Sequence, residues 1–397
     1  MRVLAPALVL VVVAGCGQTS HDNGGTGGAG GSSGTGSAPA FDCVGEHWKR
    51  LAPQPGSTPR GFHGAVAWRD DEILVWGGGE GQSLWLGTGW RVRADGTVAS
   101  LPTAGAPSPR SAHAIDVLGD RLLVWGGYET TAGYLGDGAS LDLLANKWSP
   151  LPAAKGLLTP RRSPAFGVVG NRWLVWGGLS DGAPKADGAI WDPKTNAWTL
   201  APQAPVATWM SDMASLAQGG SDVGPVVLGE TKDDTGYAYG YDPDSDQWWT
   251  MAPGGAPSPR SSTSLTWSPT TKELIVWGGF VKSQMATDGA RYSLAGTWTP
   301  MSTQNAPGPR AGHHAVMLGT KLVVFGGSSG LELETATGGI YDVTTDTWSP
   351  LPLGDCAPPP RSSATFTAFG NGTQALLWGG VSPDGQLEGE YGWLLTL

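Results

Sequence analysis

Cysteine is scarce in this chain, with three in 397 residues. Cys16 falls at the end of an N-terminal leader, so only Cys43 and Cys356 remain beyond it. In an oxidising compartment that even pair suggests a disulfide. Positive charge is also in short supply. Lys and Arg number 24 against 34 Asp and Glu, for a net charge of -10. No run of basic residues offsets this, which argues against a nucleic-acid ligand and against electrostatic adhesion to anionic lipid. The apolar run at residues 8–13 is too short for a membrane-spanning helix.

Tryptophan and glycine are abundant, with 20 and 63 copies, and both are placed periodically. An aromatic residue followed by two glycines recurs as Trp76-Gly77-Gly78, Trp125-Gly126-Gly127, Trp176-Gly177-Gly178, Trp277-Gly278-Gly279, Phe325-Gly326-Gly327 and Trp378-Gly379-Gly380. The spacing is about fifty residues, with one double interval, so a middle copy has lost its glycines. Ahead of each copy stands a Pro-Arg pair, whose arginines are Arg60, Arg110, Arg161, Arg260, Arg310 and Arg361. Between the two marks lie an apolar strand, a polar turn such as Gly119-Asp120 or Gly170-Asn171, and a second, nearly continuous apolar strand. A third strand carries an aromatic residue, for which Trp90, Trp191, Tyr241, Tyr292 and Tyr341 are the candidates. A fourth opens with Trp148, Trp198, Trp248, Trp298 or Trp348.

Four short antiparallel strands cannot bury both faces of their sheet alone, whereas radial packing of such sheets can. The marks together resemble the kelch repeat, over residues 48–397. The resemblance implies an all-β, seven-bladed kelch-type β-propeller. Residues 48–53 read like a fourth strand with no blade before them, and the last copy stops near its third strand. The N-terminal strand is therefore expected to close the last blade, which removes a sheet edge. That topology sets Cys43 just before the closing strand and Cys356 after the outer strand of the preceding blade. Those points tend to lie on opposite faces unless the segment before Trp48 folds back.

Residues 1–15 read as a signal peptide, and Val13-Ala14-Gly15-Cys16 resembles the lipobox of bacterial lipoproteins. By that resemblance Cys16 becomes the lipidated N-terminus. Residues 16–40 are then a Gly/Ser-rich flexible tether, and 41–397 the propeller. The chain is expected to be exported and lipid-anchored in the bacterial cell envelope, at the outer membrane or cell surface. The lipid would be its only membrane contact.

Most conspicuous polar residues follow the repeat. Asp137, Asp187, Asp288 and Glu388 precede the third strand on the same face as the six arginines, which suggests a ring of Arg-carboxylate pairs between blades. His63, His113 and His313 each lie three residues after an arginine and read as framework rather than a metal site; His314 is an extra. Asp242, Asp244 and Asp246 alternate like a calcium loop but lack its glycine and terminal acid, so turn chemistry explains them. Neither a metal nor a cofactor is expected.

Trp85, Trp209 and Trp249 fall outside the aromatic grammar and are candidate contact residues. The degenerate fourth blade, residues 203–253, adds Glu230 and Asp233 as candidates. Three functional classes compete. The favoured one is a binding module for a glycan or a protein partner. An envelope assembly scaffold is another. The third is a sugar-acting enzyme of the mutarotase kind, working in the central funnel with Arg162, His314, Glu230 and Asp233 as conceivable groups. A copper centre like that of galactose oxidase is excluded, because neither Cys43 nor Cys356 lies in a blade strand with a tyrosine and histidines around it.

Overall fold

The repeat folds as its apolar alternation and turn residues dictate. A computed structural model describes residues 41–397 except 54–57, 81–83, 204–212, 215–225, 230–236, 243, 252–253, 330–333 and 384–391. No helix occurs among the described residues. Strands associate in chain order into antiparallel sheets, each strand hairpinned to the last.

Six sheets have four strands. Blade 1 comprises Gly64–Trp68, Glu72–Trp76, Gly89–Arg93 and Val98–Ser100. Blade 2 runs from Ala114–Leu118 and Arg121–Trp125 to Gly138–Asp142 and Lys147–Pro150. Blade 3 opens with Ala165–Val169 and Arg172–Trp176, and closes with Gly188–Asp192 and Ala197–Leu200. The degenerate blade 4 keeps the plan in Met213–Ala214, Val226–Gly229, Tyr237–Asp242 and Gln247–Thr250. Blade 5 holds Ser264–Ser268, Glu273–Trp277, Gly289–Ser293 and Thr297–Pro300, and blade 6 holds His314–Leu318, Lys321–Phe325, Gly338–Asp342 and Thr347–Pro350.

The remaining sheet draws on both ends of the described chain. Thr365–Ala368, Gln374–Trp378 and Gly392–Thr396 are continued by Trp48–Leu51, and then by Phe41–Val44. The expectation of a seven-bladed propeller is corrected here: six sheets have the four-stranded blade plan. The closing one has five strands because residues 41–44 fold back on 48–51 as an extra outer strand. That fold-back carries Cys43 to Cys356, and the two form a disulfide with Cα atoms 5.8 Å apart.

The first strands of successive sheets touch one another in a closed ring, from blade 1 through blade 6 and the closing sheet back to blade 1. They surround the axis. Apolar side chains fill the gaps between neighbouring sheets, so the core is a set of radial layers rather than one centre. In five of the layers the aromatic before Gly-Gly meets the fourth-strand tryptophan of the next sheet. Trp76 lies 6.0 Å from Trp148, Trp176 5.1 Å from Trp248, and Trp277 5.2 Å from Trp348. The indole N–H of Trp148, Trp198, Trp248 and Trp348 also donates backwards into the previous sheet, from Trp148 to the Pro102 carbonyl at 2.7 Å and from Trp198 to Pro152 at 2.9 Å. Burying the ring while pairing its one polar atom is what makes tryptophan suited to this position.

Blade 1 departs from the pattern. Its register pairs Ile73 with Val92, as Trp173 pairs with Trp191 and Leu274 with Tyr292. Val92, not Trp90, therefore occupies the third-strand aromatic position. Trp90 stands opposite Val75.

Candidate functional site: the loop face and the channel mouth

The Pro-Arg segments and the loops after Gly-Gly lie on one face of the ring. Single bridges join them: Gly61 to Gly79, Ser111 to Tyr128, Arg162 to Leu179, Ser261 to Phe280, Ala311 to Ser328 and Ser362 to Val381.

The arginines are a buried frame on this face. Arg110 is fully buried; its guanidinium donates to the Gly126 carbonyl at 3.0 Å and to the Asp137 carboxylate at 3.1 Å. Arg161 does the same with Gly177 and Asp187, and Arg260 with Gly278 and Asp288. These pairs lie within one blade, which corrects the expectation of side-chain pairs between blades. The junction between blades is made by backbone instead. The second glycine's N–H donates to the carbonyl of the next sheet's arginine, as Gly78 to Arg110, Gly127 to Arg161 and Gly380 to Arg60, each within 2.9 Å. Gly77 and Gly78 have φ of +74° and +85°, and a Cβ on Gly77 would lie 2.5 Å from the His113 ring. Both the backbone angle and the approach of the next blade thus require glycine. In blades 1 and 6 threonine replaces the aspartate, so Arg60 donates to Thr88 and Arg310 to Thr337. Glu388 lies outside the described residues.

The framework histidines pack against neighbouring sheets. His113 stands edge-on to Trp76 at 5.1 Å, and His313 to Trp277 at 5.1 Å. His63 hydrogen-bonds Thr365 of the closing sheet at 2.9 Å. Burial first, and then the adjacent arginine, holds His113 and His313 down to about 3. The same causes lower His63 well below its ordinary range, and burial beside Arg361 brings His314 to about 4. All four rings are neutral at physiological pH. Among the described residues no group of three or more His, Cys, Asp or Glu is placed to hold a metal. The Asp242–Asp246 turn is held by its own bonds, with Asp242 accepting from the Asp244 N–H and the Tyr241 hydroxyl donating to Asp246.

Trp85 is the sequence candidate that meets other exposed groups. It lies on a small hairpin formed by Gly79–Glu80 and Leu84–Trp85. Its indole N–H donates 2.8 Å to Thr130 on the matching hairpin of blade 2, and its ring stands edge-on to Tyr128 at 6.3 Å. Tyr128 in turn meets Tyr134 at 5.8 Å, and the exposed Arg162 guanidinium of blade 3 lies 5.5 Å from the Tyr128 ring centre. Leu84 beside it is 46% exposed. The result is a half-buried aromatic cluster spanning three blades. Sequence reasoning found Trp85 but not Tyr128 and Tyr134, because the hairpins that bring them together have only two-residue strands.

Trp249 is not part of that cluster. It stacks at 6.3 Å on Tyr292 of blade 5, inside an interblade layer. Trp209, Glu230 and Asp233 lie outside the described residues. His314 stands at the mouth of the central channel, in a 220 Å³ cavity with Thr263, Ser264, Thr266, His313 and Phe366.

Radial antiparallel sheets around a central channel define the protein as a β-propeller. The model of the KLHDC2/KLHL20/DRC7 Kelch-repeats domain matches residues 23–205, 90–279 and 219–388, and the chain belongs to the kelch-repeat family. It is 26% identical over 365 residues to "Host cell factor" of Drosophila melanogaster, covering 85% of this chain and 22% of that protein. It is also 26% identical over 261 residues to "Kelch domain-containing protein 3" of Homo sapiens, covering 56% of this chain and 65% of that protein. A stretch of 153 residues is 30% identical to "Dynein alpha chain, flagellar outer arm" of Chlamydomonas reinhardtii, 36% of this chain and 3% of that protein. The chain thus spans less than two thirds of each of these relatives.

Proposed function

We propose that this chain is a tethered binding module whose loop face docks a protein partner through the Trp85–Tyr128–Tyr134 cluster. One observation carries the reading: aromatic side chains from neighbouring blades interlock on the loop face, with Leu84 and the Arg162 guanidinium exposed beside them. Aromatic and arginine side chains are the residue types that dominate contact energy at protein interfaces. Kelch membership agrees with such a role. The rigid ring supports the cluster at little entropic cost on binding. On this reading Cys16 carries the lipid, and the Gly/Ser-rich segment lets the propeller sample partners near the envelope surface.

A photocrosslinking residue at Thr131 on intact cells, compared with Trp85→Ala and Tyr134→Ala in the same background, tests the docking face. A discrete crosslinked protein that both substitutions weaken at least tenfold supports the reading. A crosslinking pattern indifferent to both overturns it. Cys16→Ser tests the tether separately, and should move the protein from the membrane fraction to the soluble one.

A further inference from the structure

The outer strands of blade 1 and a turn of blade 2 enclose a cavity of about 520 Å³, lined among others by Arg91, Arg93, Thr97, Leu101, Pro102 and Asn146. Pockets of roughly 300–1,000 Å³ take small molecules. The two arginines are the only charged residues in its wall. Their side chains are 18% and 50% exposed, so both reach solvent-accessible space. Glu72 is their shared carboxylate, 3.5 Å from Arg91 and 2.9 Å from Arg93. Arg91 also donates through Nη2 to the Leu143 carbonyl at 3.1 Å. Nη1 of each guanidinium makes no hydrogen bond among the described residues. The nearby Asp95 is taken up by its own turn, where it accepts from the Thr97 N–H at 2.8 Å.

The junction of blades 5 and 6 shows what this place holds elsewhere in the ring. Arg291 donates to the Val343 carbonyl as Arg91 does to Leu143, and it pairs with Glu273 as Arg91 does with Glu72. Trp348 donates to the Ser302 carbonyl as Trp148 does to Pro102. The two junctions are therefore equivalent residue by residue. At blades 5 and 6 a second carboxylate is built in. Asp346 accepts from the Ser302 N–H at 2.9 Å and from the Tyr341 hydroxyl, within electrostatic reach of Arg291. At blades 1 and 2 that carboxylate and both of its donors are gone. Asn146 stands for Asp346, Leu141 for Tyr341, and Pro102, which has no N–H, for Ser302. At the same junction Arg93 stands for Ser293, which adds a guanidinium. A guanidinium presents its N–H groups in a planar fork that matches a carboxylate.

We propose that this cavity binds a small organic carboxylate, which supplies from solution the group that Asp346 supplies within blade 6. Its carboxylate pairs with Arg91 and Arg93, and its apolar part lies against Ala99, Leu101 and Pro102. This site is separate from the aromatic cluster on the loop face, and neither reading depends on the other. It assigns a binding site, not a reaction.

The test is isothermal titration calorimetry on the full chain at fixed ionic strength. Probes are succinate, citrate and benzoate, with succinamide as the uncharged control and inorganic phosphate as the competing class of anion. The expected result is saturable binding of at least one carboxylate, weaker binding of phosphate and none of succinamide. Arg93→Gln should weaken that carboxylate at least tenfold. Asn146→Asp, which restores the built-in carboxylate, should weaken it as much without lowering the melting temperature. Aspartate already occupies the same left-handed turn position at Asp246 and Asp346, so the fold accepts it. Asn146→Ala, which adds no charge, should bind like the parent. If none of the three carboxylates binds, if phosphate binds as tightly as the best of them, or if Asn146→Asp keeps the parent affinity, the proposal is wrong.

Discussion

The indole N–H of Trp48 donates to the carbonyl of Pro352 at 3.0 Å, across 304 positions of sequence. It is the same bond that Trp148 makes to Pro102 and Trp248 to Pro202. The N-terminal strand thus supplies the closing sheet with the fourth-strand tryptophan it otherwise lacks, and Trp48 packs 5.8 Å from Phe325 of blade 6. Trp48→Ala is expected to destabilise the domain by about 3–5 kcal/mol, as for other large aromatic truncations in cores. Trp48→Phe keeps most of the packing and should lose nearer 1 kcal/mol, the usual worth of one hydrogen bond. Urea unfolding of the two variants measures both, and equal losses would rule out this division.

The Cys43–Cys356 disulfide ties the outermost strand of the closing sheet to the segment leaving blade 6, across a sequence separation of 313. Cross-linking a long loop restricts the unfolded chain, by about 5–6 kcal/mol on the loop-entropy estimate. A reductant, or paired replacement of both cysteines by serine, should lower the urea midpoint accordingly. The paired variant should then no longer respond to reductant.

Gly77 and Gly119 separate two costs that glycine avoids. Both have positive φ, at +74° and +61°, but only Gly77 would press a Cβ against the next blade, while Gly119 has open space around it. Gly119→Ala is expected to cost about 1–2 kcal/mol for the left-handed backbone alone. Gly77→Ala should cost clearly more, because His113 and the Arg110 carbonyl must also give way. Chemical denaturation of the pair checks the ordering.

The buried histidines make the fold acid-sensitive. Their folded values lie below the ordinary 6.5, at about 3 for His113 and His313 and about 4 for His314. The unfolded chain therefore takes up protons that the folded one refuses. Stability is complete above pH 6.5 and falls as the pH drops through that value. Each such histidine contributes a slope of about 1.4 kcal/mol per pH unit in that window. Melting temperatures between pH 8 and 4 should fall steeply below 6.5, and His113→Gln should flatten part of the fall.

Asp116 works in the opposite direction. Burial in blade 2 raises it to about 7, against hydrogen bonds from the Val117 N–H and blade 3 that lower it. Its folded-state proton favours the fold at low pH and is lost as the pH rises through 7. Asp116→Asn should thus gain stability at pH 8, on the order of 1 kcal/mol, and gain little at pH 5. A gain of equal size at both pH values would refute the assignment.

The sequence by itself determined the repeating unit. Pro-Arg, the apolar pair of strands, Gly-Gly and the spaced tryptophans each answer a local demand: an entry turn, a doubly buried strand, a left-handed turn, a ring with one polar atom to satisfy. Local demands recur with the period and can be read from it. Only the tertiary structure decided how the units meet. Whether Arg110 pairs within its blade or across to the next depends on where the backbone of the neighbouring sheet passes, and the Gly78–Arg110 backbone bond had already taken the crossing. Trp85 was visible as an unassigned aromatic, but Tyr128 and Tyr134 became its neighbours only through two-residue hairpins too short to leave a periodic signal. Likewise, nothing in the order of residues set the extra strand at Phe41–Val44. It formed because the chain could fold back on Trp48–Leu51 and bring Cys43 within reach of Cys356.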